Sequence, residues 1–520
     1  MVTGIRIALF LLAASISFCS AQAQDALFPP DDDVASRLRK IEAEHQSFVQ
    51  QLEALRAENA DLTARLQTQS SETEVDPAGS MPEIPAGDEL PLFILKTEQP
   101  SQVRTDQPFT PQELEAEEQD PFAKPLIWGS KDGEWTLQFH NETQLDIRAY
   151  GQAHQDPVNQ VGFYIPRMRL IFNGHLTKPI EYNVSINKGL GSLDLLDAYF
   201  NFNYDSRAQF QIGRYRVPFT YDWYALSNQF LTTPERSVFA LNYGYNRNTG
   251  VMMHGEILDE SAEYALAVVN GPRNSYYDTN TAKDLLGFLN VRPFQHSSRF
   301  PWLEYMNLGG SFAFGWQDQA PLPISFHTSA SATTSGGTDV GVPTFLRLND
   351  HVLEKGKRSL WEAHLAYYYQ QLTFMAAVDG GVNTYGFRNQ AGAVEVPVWA
   401  WHVQFGYFLT GEEITRRTMV EVKRPFDLRK GKRGPGAWEI QARFDRFQLG
   451  DEVFTGGLAA PTGWTNRVNT LDCGVNWYLN RYVRIAFDWQ RSMYADQVQY
   501  APGRTSDHSD LFWIRFQDYF

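Results

Sequence analysis

Arg167 and Arg169 stand two residues apart in a segment whose alternate places hold Met168, Leu170 and Phe172. In an extended chain, residues i and i+2 share a face, so both guanidinium groups point one way and the apolar side chains the other. A guanidinium is planar, permanently charged and donates in a fork that matches oxyanions. A pair of this kind suits the holding or passing of phosphate-like and carboxylate-like groups. Pairing of each Arg with a nearby Asp or Glu is the ordinary alternative, and the residues alone leave both readings open. A second concentration of cations lies between 411 and 435, where Arg416, Arg417, Lys423, Arg424, Arg429, Lys430, Lys432 and Arg433 face Glu412, Glu413, Glu421 and Asp427. From the residues alone it is a strongly basic connection, open to readings as a solvated turn or a face for an acidic tether.

Other chemistries find no support. The chain has no glycine-rich phosphate loop, no G-x-S-x-G and no H-E-x-x-H, and Glu439 and Asp445 suit salt bridges better than an acid–base pair. Its cysteines are Cys19 and Cys473. No disulfide within the mature chain is expected, and no His or Cys stands at ligand spacing from Cys473, so neither a metal nor another cofactor is expected.

The elements that position these residues have a period of two. From Trp135 to Ala149 the odd positions include Trp135, Leu137, Phe139, Leu145 and Ile147, and the even ones Gln138, His140, Glu142, Gln144, Asp146 and Arg148. Leu471, Cys473, Val475, Trp477 and Leu479 alternate in the same way with Thr470, Asp472, Gly474, Asn476 and Tyr478. Such stretches have one oily face and one wet face, and Cys473 falls on the oily one. Sixteen of them are expected, near 135–149, 162–176, 180–188, 194–204, 207–217, 248–257, 261–269, 284–293, 306–317, 359–370, 372–383, 397–410, 435–448, 466–479, 481–494 and 508–520. An even number joined by alternating short and long connections is the pattern of a closed transmembrane barrel. Mean hydropathy is −0.39, with 14% aromatics, 38 Gly and 13 Trp. That composition fits a barrel with a polar lumen, because only every second residue must face lipid.

The first 126 residues are different. Arg6 precedes an apolar run from Ile7 to Phe18, and Ala21-Gln22-Ala23 fits a secretory cleavage site, so residues 1–23 are expected to be a signal peptide. Ile16-Ser17-Phe18 ahead of Cys19 is a poor lipobox. Within 24–69 a heptad runs through Val34, Leu38, Ile41, His45, Phe48, Leu52, Leu55, Asn59, Leu62 and Leu66. A helix with so narrow a seam predicts a coiled coil, with His45 and Asn59 setting register or helix number. Residues 70–126 form an acidic, Pro-rich linker: Ser70 to Pro125 holds thirteen Asp/Glu against three Lys/Arg, a balance of −10. Most of the net charge of −16 therefore lies outside the barrel.

Several segments, taken in order, resemble the phosphate-selective porin O and P family over essentially all of 134–520. They are Asp197-Ala198-Tyr199-Phe200-Asn201-Phe202, Gln211-Ile212-Gly213-Arg214-Tyr215-Arg216-Val217-Pro218-Phe219, Phe230-Leu231-Thr232-Thr233-Pro234-Glu235-Arg236-Ser237 and Gly250-Val251-Met252-Met253-His254-Gly255. Tyr407-Phe408-Leu409-Thr410-Gly411-Glu412, Gly436-Ala437-Trp438-Glu439 and Val475-Asn476-Trp477-Tyr478-Leu479-Asn480 complete the set. The resemblance implies an all-β fold: a sixteen-stranded antiparallel transmembrane β-barrel over 127–520, here with the N-terminal coiled-coil segment added. It also implies an outer-membrane homotrimer, embedded in lipid, for passive diffusion of small anions, with the helical segment in the periplasm and no nucleic-acid partner. The terminal Phe520, with Phe516, Ile514 and Phe512 on its face, resembles the assembly signal of bacterial outer-membrane proteins, and Asp518 departs from it.

By the same resemblance, Arg214 and Arg216 lie in the strand entering a long loop folded into the pore, residues 218–247, and Arg236 lies at its exit. The turn 411–435 becomes a periplasmic collector of anions. With Arg167 and Arg169, these are the expected binding residues. In the family, the strand of Arg167 opens on an Arg pair, one place of which is Pro166 here. The inward loop there carries Lys, whereas Trp223 to Glu235 here has neither Lys nor Arg. The next long loop, 318–358, is mostly neutral up to Thr344, where phosphate-selective members have an Arg ladder; Arg347 is its one candidate. A preference for anions is thus expected, with phosphate or other oxyanions among the permeants but no strict phosphate selectivity. The alternative reading is an envelope tether built around the coiled coil.

Overall fold

The computed structural model describes residues 126–151, 161–189, 193–276, 278–329, 343–388, 390, 392–429, 431 and 433–520. The signal peptide, the heptad segment, the linker up to residue 125, and Lys430 and Lys432 lie outside these.

Among the described residues, nineteen strands follow in chain order: β1 (Leu126–Gly129), β2 (Thr136–Gly151), β3 (Val161–Thr177), β4 (Ile180–Lys188), β5 (Leu193–Phe202), β6 (Gln209–Arg216), β7 (Arg247–Ile257), β8 (Ala262–Val269), β9 (Asp284–Val291) and β10 (Met306–Gln319). After them come β11 (Ser325–His327), β12 (Thr344–Arg347), β13 (Val352–Tyr369), β14 (Leu372–Phe387), β15 (Val394–Phe408), β16 (Ala437–Leu449), β17 (Arg467–Tyr478), β18 (Val483–Ala501) and β19 (Arg504–Tyr519). Each of the sixteen expected segments corresponds to one of β2–β10 and β13–β19. The short strands were not foreseen: β1 pairs with the start of β2, and β11 with β12 inside the β10–β13 connection.

The sixteen long strands pair antiparallel in sequence order, β10 passes to β13, and β19 returns to β2 through pairs such as Ile514↔Ile147. The result is a closed barrel. Closure follows from the solvent: hydrocarbon offers no hydrogen bonds, so every backbone N–H and C=O must find a strand neighbour and no edge can remain. Alternation then sorts the side chains. On β19, Leu511, Trp513, Arg515, Gln517 and Tyr519 are buried inside, whereas Phe512, Phe516 and Phe520 are exposed on the outer face. Asp518, the one polar residue in that outer row near the end, accepts from Asn141 Nδ2 of β2 at 2.7 Å. Cys473 sits in an outer row with Ala442 and Trp489, its register partners.

Short turns such as Gln370-Gln371 between β13 and β14 share one end of the barrel with the start of β2 and with Phe520. The 409–436 connection, long and basic, lies at that end too. The longest connections, β6–β7 and β10–β13, leave from the opposite end. The β6–β7 connection turns inward and is almost wholly buried from Val217 to Tyr245. It holds a π-helical turn (Tyr221–Ala225), a 3-10 turn (Asn228–Phe230) and a short α-helix (Val238–Tyr243) capped by the Ser237 side chain. Thr220 enters it with φ of 60°, a left-handed conformation unfavourable for a β-branched residue. Two bonds hold it there: Thr220 N donates to Ser311 Oγ at 3.0 Å, and Thr220 Oγ1 accepts from Trp223 N at 3.1 Å.

Candidate functional site: the inward loop and the lumen arginines

Residues 229–235 contain almost no regular secondary structure, so their carbonyls have few partners of their own. In a desolvated lumen such groups must be met by side chains. The wall supplies them one after another. Gln517 donates to Gln229 O at 2.8 Å, Arg417 to Phe230 O at 2.9 Å and Arg484 to Leu231 O at 2.6 Å. Asn476 donates to Thr232 O at 2.8 Å, Arg515 to Pro234 O at 2.5 Å, and Arg443 to Glu235 O at 2.5 Å. Arg443 also reaches Thr233 Oγ1 at 2.8 Å. Six side chains from β16, β17, β18, β19 and the 409–436 connection thus clamp one stretch of loop.

The Glu235 carboxylate completes the clamp. Arg167 holds both of its oxygens at 2.6 Å, and Arg515 one of them at 2.8 Å. Burial by itself pushes this carboxyl up, but the guanidinium groups of Arg167 and Arg515 outweigh it and hold Glu235 well below the usual carboxylate range.

Arg167 and Arg169 both point into the lumen, as their spacing predicts, and both are paired: Arg167 with Glu235, and Arg169 with Glu142 at 3.0 Å. Arg216 and Arg236 converge on one carbonyl, Leu226 O, at 3.3 and 2.8 Å. Arg236 also donates to Asn228 Oδ1 at 2.6 Å, lies 3.7 Å from Asp222, and covers the Trp223 ring at 4.3 Å. Arg214 is apart from them: it donates to Leu195 O, Ser275 O and Asn274 Oδ1, and it stacks on Tyr276. Lys423, Arg424, Arg429 and Arg433 are exposed in the 409–436 connection, with Arg429 bound to Asp427 at 2.6 Å. Arg347 is exposed on β12, 3.6 Å from Asp350. The structure therefore gathers Arg167, Arg216 and Arg236 around the loop, with Arg417 of the basic turn, and leaves Arg214 and the turn's other described cations elsewhere.

Sequence reasoning singled out none of Arg443, Arg484 and Arg515, and took Arg417 for one more cation of the turn. Alternation was the available signal, since each of the three strand arginines shares its face with polar residues such as Asp445, Asp488 and Gln517. Arg484 differs from the others. It is 3% exposed, and among the described residues it has no carboxylate within ion-pair distance. Its partners are neutral, so its charge is not cancelled.

A closed barrel with an apolar outside, an ionic lining and a long connection folded into the lumen defines a porin, a channel of the outer membrane. The sequence model for the phosphate-selective porin O and P family matches residues 137–520, and the chain belongs to that family. A comparison with curated protein sequences returns no match. Similar solved structures include the anion-selective porin from Comamonas acidovorans, 9% identical over 74% of this chain and 100% of that one, with a TM-score of 0.44. The trimer form of OmpT from Vibrio cholerae is 11% identical over 74% and 100% of the two chains, with a TM-score of 0.41. The channel DcaP of Acinetobacter baumannii is 9% identical over 75% and 99%, with a TM-score of 0.44.

Proposed function

We propose that the barrel is a passive diffusion pore that favours small anions modestly and does not prefer phosphate to chloride. The observation that carries this reading is Arg484, a buried and uncancelled guanidinium at the foot of the inward loop. The exposed Lys423, Arg424 and Arg433 around the 409–436 connection add a positive field at the same end of the barrel. Local field, more than net charge, governs which ions enter a narrow channel.

The preference is modest because most cations are engaged. Among the described residues, sixteen buried carboxylates face ten buried arginines, which leaves no uniformly positive lining. Stripping water from phosphate needs several convergent donors, each charge-assisted contact being worth about 1.5–3 kcal/mol. Here Arg167, Arg443 and Arg515 are occupied by the loop. Phosphate titrated against a chloride current in planar bilayers tests this half of the proposal: no block is expected at micromolar phosphate, and block in that range would overturn it. The proposal includes a homotrimer and a periplasmic coiled coil over 34–66, on the strength of the heptad and of family membership.

A further inference from the structure

At the end of the lumen that carries the short turns, β3 to β7 present a strip with a different chemistry. Asn173 of β3 and Asn183 of β4 are direct register partners, which sets their Cβ atoms about 4.5–5.5 Å apart. Yet Asn173 Nδ2, Asn173 Oδ1 and Asn183 Oδ1 have no hydrogen-bond partner, although these residues are only 1% and 4% exposed. Around them the polar groups are already oriented. Glu181 accepts from Asn201 Nδ2 at 2.7 Å and from Asn203 Nδ2 at 2.9 Å, and Asn201 Oδ1 meets His254 Nε2 at 3.0 Å. Among the described residues, no Lys or Arg forms an ion pair with Glu181.

An unpaired buried amide is unfavourable, so this strip is built to be completed by something else. An anion fits badly, because Glu181 and the two amide oxygens would oppose it. A cation would leave Asn173 Nδ2 without an acceptor. A hydroxyl both donates and accepts, and neighbouring hydroxyls can bond both ends of one amide at once. We infer that Asn173 and Asn183, backed by Glu181, Asn201 and His254, form a binding subsite for hydroxyl-rich neutral solutes of the sugar or polyol class. This rests on the pore reading above.

The test uses the full-length protein in planar bilayers in KCl, with maltose titrated in. A polyethylene glycol of similar size, which lacks the hydroxyl array, controls for excluded volume. Maltose is expected to reduce the ion current saturably and more than the glycol does. Asn173→Leu should weaken that block at least tenfold, and Asn183→Ala gives a second reading should the first variant fail to assemble. Asn173→Gln, which keeps an amide, should retain part of the block. Two results would overturn the inference: a wild-type current no more sensitive to maltose than to the glycol, as expected if water alone completes the strip, or equal block in the wild type and both apolar variants. Failure of the pore reading is distinguishable, since it would give no KCl current at all.

Discussion

Glu235 accepts from two guanidinium groups, Arg167 through both oxygens and Arg515 through one, and so joins β3, β19 and the inward loop at a single carboxylate. Glu235→Gln would leave Arg167 without its carboxylate, whereas Arg515 keeps Asp146 at 2.7 Å; breaking a buried pair in this way costs about 3–5 kcal/mol. We expect the variant barrel to unfold at clearly lower denaturant concentration than the wild type, and its open-channel current to be noisier. The pH response follows from the direction of the carboxyl shift. A group whose folded value is depressed contributes fully above its ordinary value, 4.5 for this glutamate, and loses that contribution as pH falls through the lower folded value. The difference in unfolding midpoint between the wild type and Glu235→Gln should therefore be constant from pH 7 to about pH 4.5 and narrow only below it. A difference that already narrows near pH 6 would contradict this. The inward aim of Arg167 and Arg169 was legible, because a period of two fixes the face. Their partners were not: Glu235 lies 68 positions from Arg167 and reaches it only through the fold of a loop.

The clamp on residues 229–235 belongs to the element scale. Arg417→Met removes the donor to Phe230 O and leaves Glu439 without its 2.7 Å partner; Arg484→Met removes the donor to Leu231 O. The double variant should release the loop and raise both mean single-channel conductance and its fluctuation. Unchanged conductance and noise would show that the loop holds its place without these donors. Arg484→Met alone should also lower anion over cation permeability, which the loss of a merely mechanical contact would not do.

Sequence periodicity located every barrel strand, and its misses have local causes. β13 begins at Val352 rather than 359 because Lys355, Gly356 and Lys357 interrupt the alternation, where the register with β14 shifts between Glu354 and Arg358. β18 runs on to Ala501 past a shift between Met493 and Val498 for the same reason. β11 and β12 are too short to show a period. Arg417 looked like its exposed neighbours because a charged turn has no period to say which residue bends inward.

For the whole molecule, family membership and the barrel agree on a pore, whereas assembly and selectivity rest on proposals. Crosslinking in outer-membrane vesicles should yield a three-subunit species. Deletion of residues 24–69 should weaken that species if the heptad helps to hold the trimer; monomers alone, with and without the deletion, would contradict it. The charge balance was only partly legible. Counting residues correctly placed most of the −16 in the N-terminal region, but composition gives no hint that the wall arginines would be spent on loop carbonyls.

Zero-current potentials measure the selectivity of the pore directly. Purified protein in a planar bilayer across a KCl gradient should give a potential of the sign set by chloride, with an anion-to-cation permeability ratio modestly above one. The ratio should fall toward one in Arg484→Met. A potential of the opposite sign in the wild type would mean that the sixteen buried carboxylates, and not Arg484 and the basic turn, set the field that permeating ions meet.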